Sequence, residues 1–177
     1  VNDIETRLKT AIRAVPDFPK PGILFRDITP VLENAELCRS ALVGFTKALN
    51  GVRIDAIAGI ESRGFLFGLP LALALEVPFL TVRKKGKLPW RTVSHKYELE
   101  YGSAEVEMHV DSVKPGMHVM VHDDLLATGG TAVAAAELIN MQGGTVSAFS
   151  FLIDLSFLNG LERLKQYDAE VIKLVTY

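Results

Sequence analysis

Residues 119–140 read VMVHDDLLATGGTAVAAAELIN, and this stretch decides the fold. Val119, Met120 and Val121 form an apolar run of the length of a buried strand. Asp123 and Asp124 follow where such a strand should emerge. Ala127, Thr128, Gly129, Gly130 and Thr131 then make a turn of small residues, opening a helical run that ends near Gly143 and Gly144. The first N–H groups of a helix have no partner inside it, and the helix dipole is positive at that end. Glycine lets an anion approach the backbone, and Thr128 and Thr131 add hydroxyl donors. Two carboxylates repel a phosphate, so they must serve something hydroxyl-bearing or cationic beside it. A phosphorylated sugar meets both demands.

Other anion motifs fit worse. A Walker A loop needs Gly-Lys-Ser/Thr, and this stretch has no lysine. The Gly-x-Gly-x-x-Gly of dinucleotide sites is also missing. An ordinary strand–loop–helix with solvated aspartates is the plainer alternative. The acidic pair, both threonines and the preceding strand, all in one run, weigh against it.

The whole chain sets the frame. Its 177 residues suit one domain, and 49% hydrophobic content is enough for a sizeable core. Nineteen basic against 21 acidic residues give a net charge of −2, which offers no nucleic-acid surface. A single cysteine, Cys38, excludes an internal disulfide and suits a reducing compartment. The opening VNDIETRLKT lacks an apolar signal core, and no apolar run reaches membrane-spanning length. A soluble cytoplasmic protein without membrane contact is expected.

Outward from the central stretch, strands and helices alternate. Residues 53–68, RIDAIAGIESRGFLFG, repeat the strand–turn–helix pattern: an apolar strand over 54–60, a turn at Glu61, Ser62, Arg63 and Gly64, then a helix over 65–75. That makes a second anion site at a helix start. Residues 78–87 read as a strand ending in Arg83, Lys84, Lys85 and Lys87, a cationic tip that is solvated unless an anion lies nearby. Further strands are expected at 104–110, 145–155 and 171–177, and helices at 2–14, 35–49 and 157–166. Residues 15–32 hold four prolines and are read as an irregular apolar loop, fit to stack on a flat heterocycle or simply to pack. Residues 88–101 are polar and mixed, and are read as a long loop. The fold class is α/β, a mainly parallel twisted sheet flanked by helices, with ligands at the carboxyl ends of its strands.

Four stretches in this order, FPKPGILFRDI, GIESRG, LEYG and HDDLLATGGTA, resemble the type I phosphoribosyltransferases, in particular their adenine-specific branch. The resemblance runs from Phe18 to about Leu155. His122 departs from the apolar residue expected before the acidic pair, and Glu61 stands where many relatives have aspartate. The resemblance implies transfer of phosphoribose from 5-phosphoribosyl 1-diphosphate to N9 of adenine, giving AMP and diphosphate. It implies Mg²⁺ carried by substrate oxygens, with no direct protein ligand, and a homodimer. Asp123 and Asp124 would hold the ribose hydroxyls, and Ala127, Thr128, Gly129, Gly130 and Thr131 the 5-phosphate. Glu61, Ser62, Arg63, Arg83, Lys84 and Lys87 would bind diphosphate, with a non-proline cis peptide at Glu61–Ser62. Phe25 would stack on adenine, the Leu24 backbone would meet its edge, and Arg26 would lie beside it. Residues 1–34 would form an N-terminal arm and base-binding hood within a single domain, and residues 88–102 a flexible lid that includes Tyr101. Glu100 would handle the proton at the base.

Two rivals stay open at this level: a relative acting on xanthine, hypoxanthine, guanine or orotate, and a non-catalytic regulator that keeps the diphosphate site and binds nucleic acid. The loop at 22–27 and the hood speak for adenine over the other bases, while the hood, LEYG and the absence of a basic charge balance speak against the regulator. Glu100→Gln should slow the chemical step with little effect on binding of the diphosphate substrate. Single-turnover rates equal to the parent's would remove Glu100 from the mechanism.

Overall fold

The spacing of apolar residues at the start of the chain produces helix α1 (Asp3–Ala11), with Leu8 fully buried. The computed structural model describes residues 3–98 and 102–177, and the chain divides into two units, Val1–Gly44 and Phe45–Tyr177. In the first unit β1 (Arg13–Pro16) pairs antiparallel with β2 (Leu24–Asp27), from Arg13 opposite Asp27 to Pro16 opposite Leu24. The expected irregular loop therefore contains a strand. Its prolines fall at strand ends and in the connection, where no ladder N–H is needed. Helix α2 (Thr29–Leu32) is a single turn with Pro30 at its start, a position that tolerates a missing N–H. Helix α3 (Ala35–Ala48) begins at Asn34, whose side-chain oxygen accepts the N–H groups of Glu36 and Leu37, both at 3.1 Å. The Cys38 thiol is partly buried and points to the Val31 carbonyl at 3.2 Å.

The second unit is built on a sheet. Its elements are β3 (Ala56–Ile60), α4 (Gly64–Ala74), β4 (Phe79–Lys84), β5 (Thr92–Glu98) and β6 (Ser103–His109). They continue with β7 (His118–Leu126), α5 (Gly130–Met141), β8 (Thr145–Asp154), α6 (Gly160–Leu164) and β9 (Glu170–Thr176). The strand order is β5-β6-β4-β3-β7-β8-β9. Strands β4, β3, β7, β8 and β9 run parallel, while β6 is antiparallel to both β4 and β5. The fold is thus the expected mainly parallel α/β sheet. The helix expected at 157–166 is α6 flanked by two short 3₁₀ turns.

One stretch reads differently from its sequence. Residues 92–98, expected within a loop, form β5 along the whole of β6. Polar cross-strand bonds replace the missing apolar pattern. Ser94 donates to Glu105 at 2.6 Å, and Thr92 donates to the buried Glu107 at 3.1 Å. Glu107 also accepts the N–H groups of Lys87 and Leu88, both at 3.0 Å. Burial alone would raise its pKa, but these donors hold it below the usual value.

The two faces of the sheet are filled differently. Ala132, Ala134, Ala135 and Ala136 of α5 lie buried in one core with Ala58, Val119, Val121 and Phe149. Small side chains here let the helix approach the sheet closely. Alternation along β7 sends His122 to the opposite face, where it meets the Phe45 ring edge-on at 5.4 Å. His122 is fully buried, and its Nδ1 shares a 2.7 Å hydrogen bond with the Ser150 hydroxyl. That bond satisfies one ring nitrogen of His122, while among the described residues its buried Nε2 has no partner. At the far end of β7 from the acidic pair, the turn at Pro115 and Gly116 is tied to the next connection by Gly116 N–H donating to the Gly143 carbonyl at 2.8 Å.

Burial holds His122 neutral, lowering its pKa to about 3 from 6.5. Between those values the unfolded chain takes up a proton that the folded chain refuses, so stability falls as pH drops from 6.5 toward 3. The contribution is at most about 1.4 kcal/mol per pH unit. His122→Val should flatten this part of the acid limb, and urea unfolding at pH 7 and pH 5 measures it.

Candidate active site

The acidic pair sits inside β7, not beyond it. The strand continues because Leu125 and Leu126 pair with Ile153 and Asp154 of β8. The Asp124 N–H donates to Asp123 Oδ1 at 2.8 Å. The Asp124 side chain is nearly enclosed and accepts from Arg63 Nε at 2.5 Å. Among the described residues, Asp123 makes no ion pair of its own. Burial first, and then the charge of Asp124, push its carboxyl well above the usual carboxylate range. The pair thus joins one carboxyl group matched by a guanidinium to one whose ionisation is opposed by burial and by its neighbour. Both present oxygens that can accept hydrogen bonds from hydroxyls.

The cradle of small residues follows at once. Gly129 caps α5 with φ +81°, and an added Cβ would lie 2.8 Å from the Gly160 carbonyl. Only glycine suits that position. Among the described residues no side chain caps α5, and no acidic residue occupies its first turn, so its leading N–H groups meet no local competition. A small cavity of about 70 Å³ opens here, lined by residues 125–132 with Asp123 and Phe151. Thr131 shares a 3.0 Å hydrogen bond with the Tyr97 hydroxyl. Arg163 Nη1 lies 3.6 Å from where a Gly130 Cβ would stand. Neither Tyr97 nor Arg163 belongs to a motif in the sequence, and only the fold brings them here.

The second turn adjoins the first. The Glu61–Ser62 peptide is cis, as expected. An added Cβ at Gly64 would lie 2.8 Å from the His122 carbonyl and 3.1 Å from Asp123 Cα, so the start of α4 packs directly on the acidic pair. The Glu61 carboxylate accepts from Arg83 Nε at 3.1 Å, from Arg83 Nη2 at 3.2 Å and from the Lys84 N–H at 3.1 Å. The Arg83 bonds hold Glu61 below its ordinary pKa. Arg83 Nη1 donates to the Lys87 carbonyl at 2.9 Å, so the arginine braces the turn that carries both lysines. Lys84 and Lys87 are exposed, whereas Lys85 is engaged by Ser94 at 2.9 Å and Glu105 at 3.4 Å.

One cleft of about 320 Å³ collects these groups: Glu61, Ser62, Arg63, Arg83, Lys84, Asp123, Asp124 and Thr131, with Tyr97. Leu24, Phe25 and Arg26 form β2 of the first unit; Leu24 is half exposed, and Phe25 meets Phe18 edge-on at 5.1 Å. Glu100 and Tyr101 lie outside the described residues. Among the described residues, no group of three or more His, Cys, Asp or Glu side chains stands ready to hold a metal ion. No helix among them is long and apolar enough to cross a membrane.

Residues 36–154 match the phosphoribosyl transferase domain family. The adenine phosphoribosyltransferase of Butyrivibrio fibrisolvens is 54% identical over 168 residues, spanning 95% of this chain and 93% of the relative. The chain belongs to the adenine phosphoribosyltransferase family. The crystal structure of the adenine phosphoribosyltransferase from Thermoanaerobacter pseudethanolicus superposes with a TM-score of 0.94 at 49% identity, covering 97% of this chain and 99% of that one. The Saccharomyces cerevisiae adenine phosphoribosyltransferase, crystallised with adenine and an imino-altritol bisphosphate, superposes at 0.91 with 40% identity, covering 98% and 99%.

The acidic pair supplies the test of this site. Asp123→Asn and Asp124→Asn should lower kcat/KM by far more than they lower the melting temperature. Normal turnover in both variants would separate the pair from the chemistry.

Proposed function

We infer that this chain transfers phosphoribose from 5-phosphoribosyl 1-diphosphate to N9 of adenine, releasing diphosphate and forming AMP. One observation carries the reading. The cleft places two carboxyl groups between two uncapped helix starts, a geometry suited to a sugar with a phosphate at each end. In this assignment the amides of 127–131 and the hydroxyls of Thr128 and Thr131 take the 5-phosphate. Asp123 and Asp124 take the ribose hydroxyls.

The bond from C1 to the leaving oxygen breaks early in this scheme, leaving a cationic sugar. The carboxylate beside it favours that charge. A unit charge pair at 4 Å and intermediate dielectric interacts by roughly 4 kcal/mol, an upper bound here because Arg63 already offsets the charge of Asp124. The departing diphosphate falls to Ser62, Arg63, Lys84 and Lys87, and to the start of α4. An ionised Glu61 would repel that anion, so its part, with Arg83, is to hold the turn in place. Mg²⁺ would arrive on the substrate's own oxygens and neutralise the diphosphate further. Phe25 stacks on the adenine, Arg26 lies beside it, and the Leu24 backbone meets the base edge. Glu100 handles the proton at the base, and Tyr101 helps the 88–102 segment exclude water.

The working form proposed is a cytoplasmic homodimer. Leu66, Leu69 and Leu73 form an exposed apolar stripe along α4, 45%, 47% and 70% exposed, which supports pairing with a second copy. Incubation with 5-phosphoribosyl 1-diphosphate, Mg²⁺ and each base in turn should yield diphosphate with adenine only. Product from hypoxanthine, guanine, xanthine or orotate and none from adenine would overturn the assignment. Light scattering on the same sample should give twice 19.4 kDa.

A further inference from the structure

Thr131 must act as a donor if it is to hold a phosphate, because a phosphate oxygen only accepts. A threonine hydroxyl has one proton to give and lone pairs to spare. Its neighbour in this structure is the Tyr97 hydroxyl, 3.0 Å away. With the Thr131 proton directed at an anion, the bond between them has only one polarity left: Tyr97 donates and Thr131 accepts. Phenol is the more acidic of the two hydroxyls, which favours the same direction.

Tyr97 is well placed to keep that role. It stands near the end of β5, partly buried, in the wall of the cleft that holds Asp123, Asp124 and Thr131. Its ring lies 3.4 Å from where a Gly130 Cβ would stand, so it packs against the first turn of α5. It also precedes Glu100 by three positions in the sequence. A hydrogen bond to Thr131 therefore ties the strand leading to LEYG to the anion cradle.

We infer that Tyr97 is a positioning residue for the sugar-phosphate site, acting through Thr131 by fixing that hydroxyl as a donor to the phosphate. The inference rests on reading 127–131 as the 5-phosphate cradle. Its effect should be confined to ligands that carry the phosphate.

Calorimetric titration with AMP and with adenosine tests it on the full chain. Tyr97→Phe keeps the ring and removes only the hydroxyl. It should weaken AMP binding about five- to tenfold, the worth of one polarised hydrogen bond, and leave adenosine binding unchanged. Thr131→Val should remove most of this dependence, so that adding Tyr97→Phe to it costs less than about twofold. Thr131→Ser, which retains a hydroxyl, should preserve the full Tyr97→Phe loss. Equal weakening of AMP and adenosine would overturn the inference, as would additive losses in the Tyr97→Phe, Thr131→Val double variant. A parent that binds adenosine as tightly as AMP would overturn the cradle itself, and the inference with it. Unfolding midpoints of each variant identify any loss that comes from folding instead.

Discussion

Two adjacent carboxyl groups at the end of a buried strand repel each other, and the site is arranged around that repulsion. Arg63 neutralises Asp124 from the start of α4, while Asp123 sits where its own ionisation is opposed. Placing Arg63 requires the 61–64 turn to press against β7, and Gly64 makes that approach sterically feasible. Glu61 in turn fixes Arg83, and Arg83 fixes the carbonyl of Lys87. A chain of paired charges therefore runs from the acidic pair to the cationic rim of the cleft.

Parallel topology makes this economy of placement work. β3, β4 and β7 are neighbours in the sheet, and each delivers its following turn to the same edge. Both helix starts belong to such turns, so two sources of positive potential converge on one cleft. The alanines of α5 permit the helix to lie close to the sheet, which keeps its first turn near the strand end.

Much of this was readable from residue patterns alone. The apolar runs before GIESRG and HDDLLATGG gave β3 and β7, and the small-residue turns gave the starts of α4 and α5. What escaped was held by polar or distant partners. β5 lacks an apolar stripe, because Ser94 and Thr92 secure it through Glu105 and Glu107 instead. β1 and β2 hid among prolines, of which Pro16 closes the ladder opposite Leu24 and Pro19 and Pro21 lie in the connection. His122 looked anomalous until Ser150, 28 positions away, supplied its partner. The pairing of Arg63 with Asp124 spans 61 positions, and no local rule links such residues. Tyr97 carries no local signal for the same reason: its hydroxyl meets that of Thr131, 34 positions on.

The turn at Pro115 and Gly116 has a practical meaning. Asp123 lies five residue steps along β7 from His118, about 17 Å at the parallel-strand rise of about 3.3 Å per residue. A fluorophore or surface tether grafted onto this turn would hang from the opposite rim of the sheet. The molecule therefore offers an attachment point for immobilised or single-molecule assays that leaves the mouth of the cleft unobstructed.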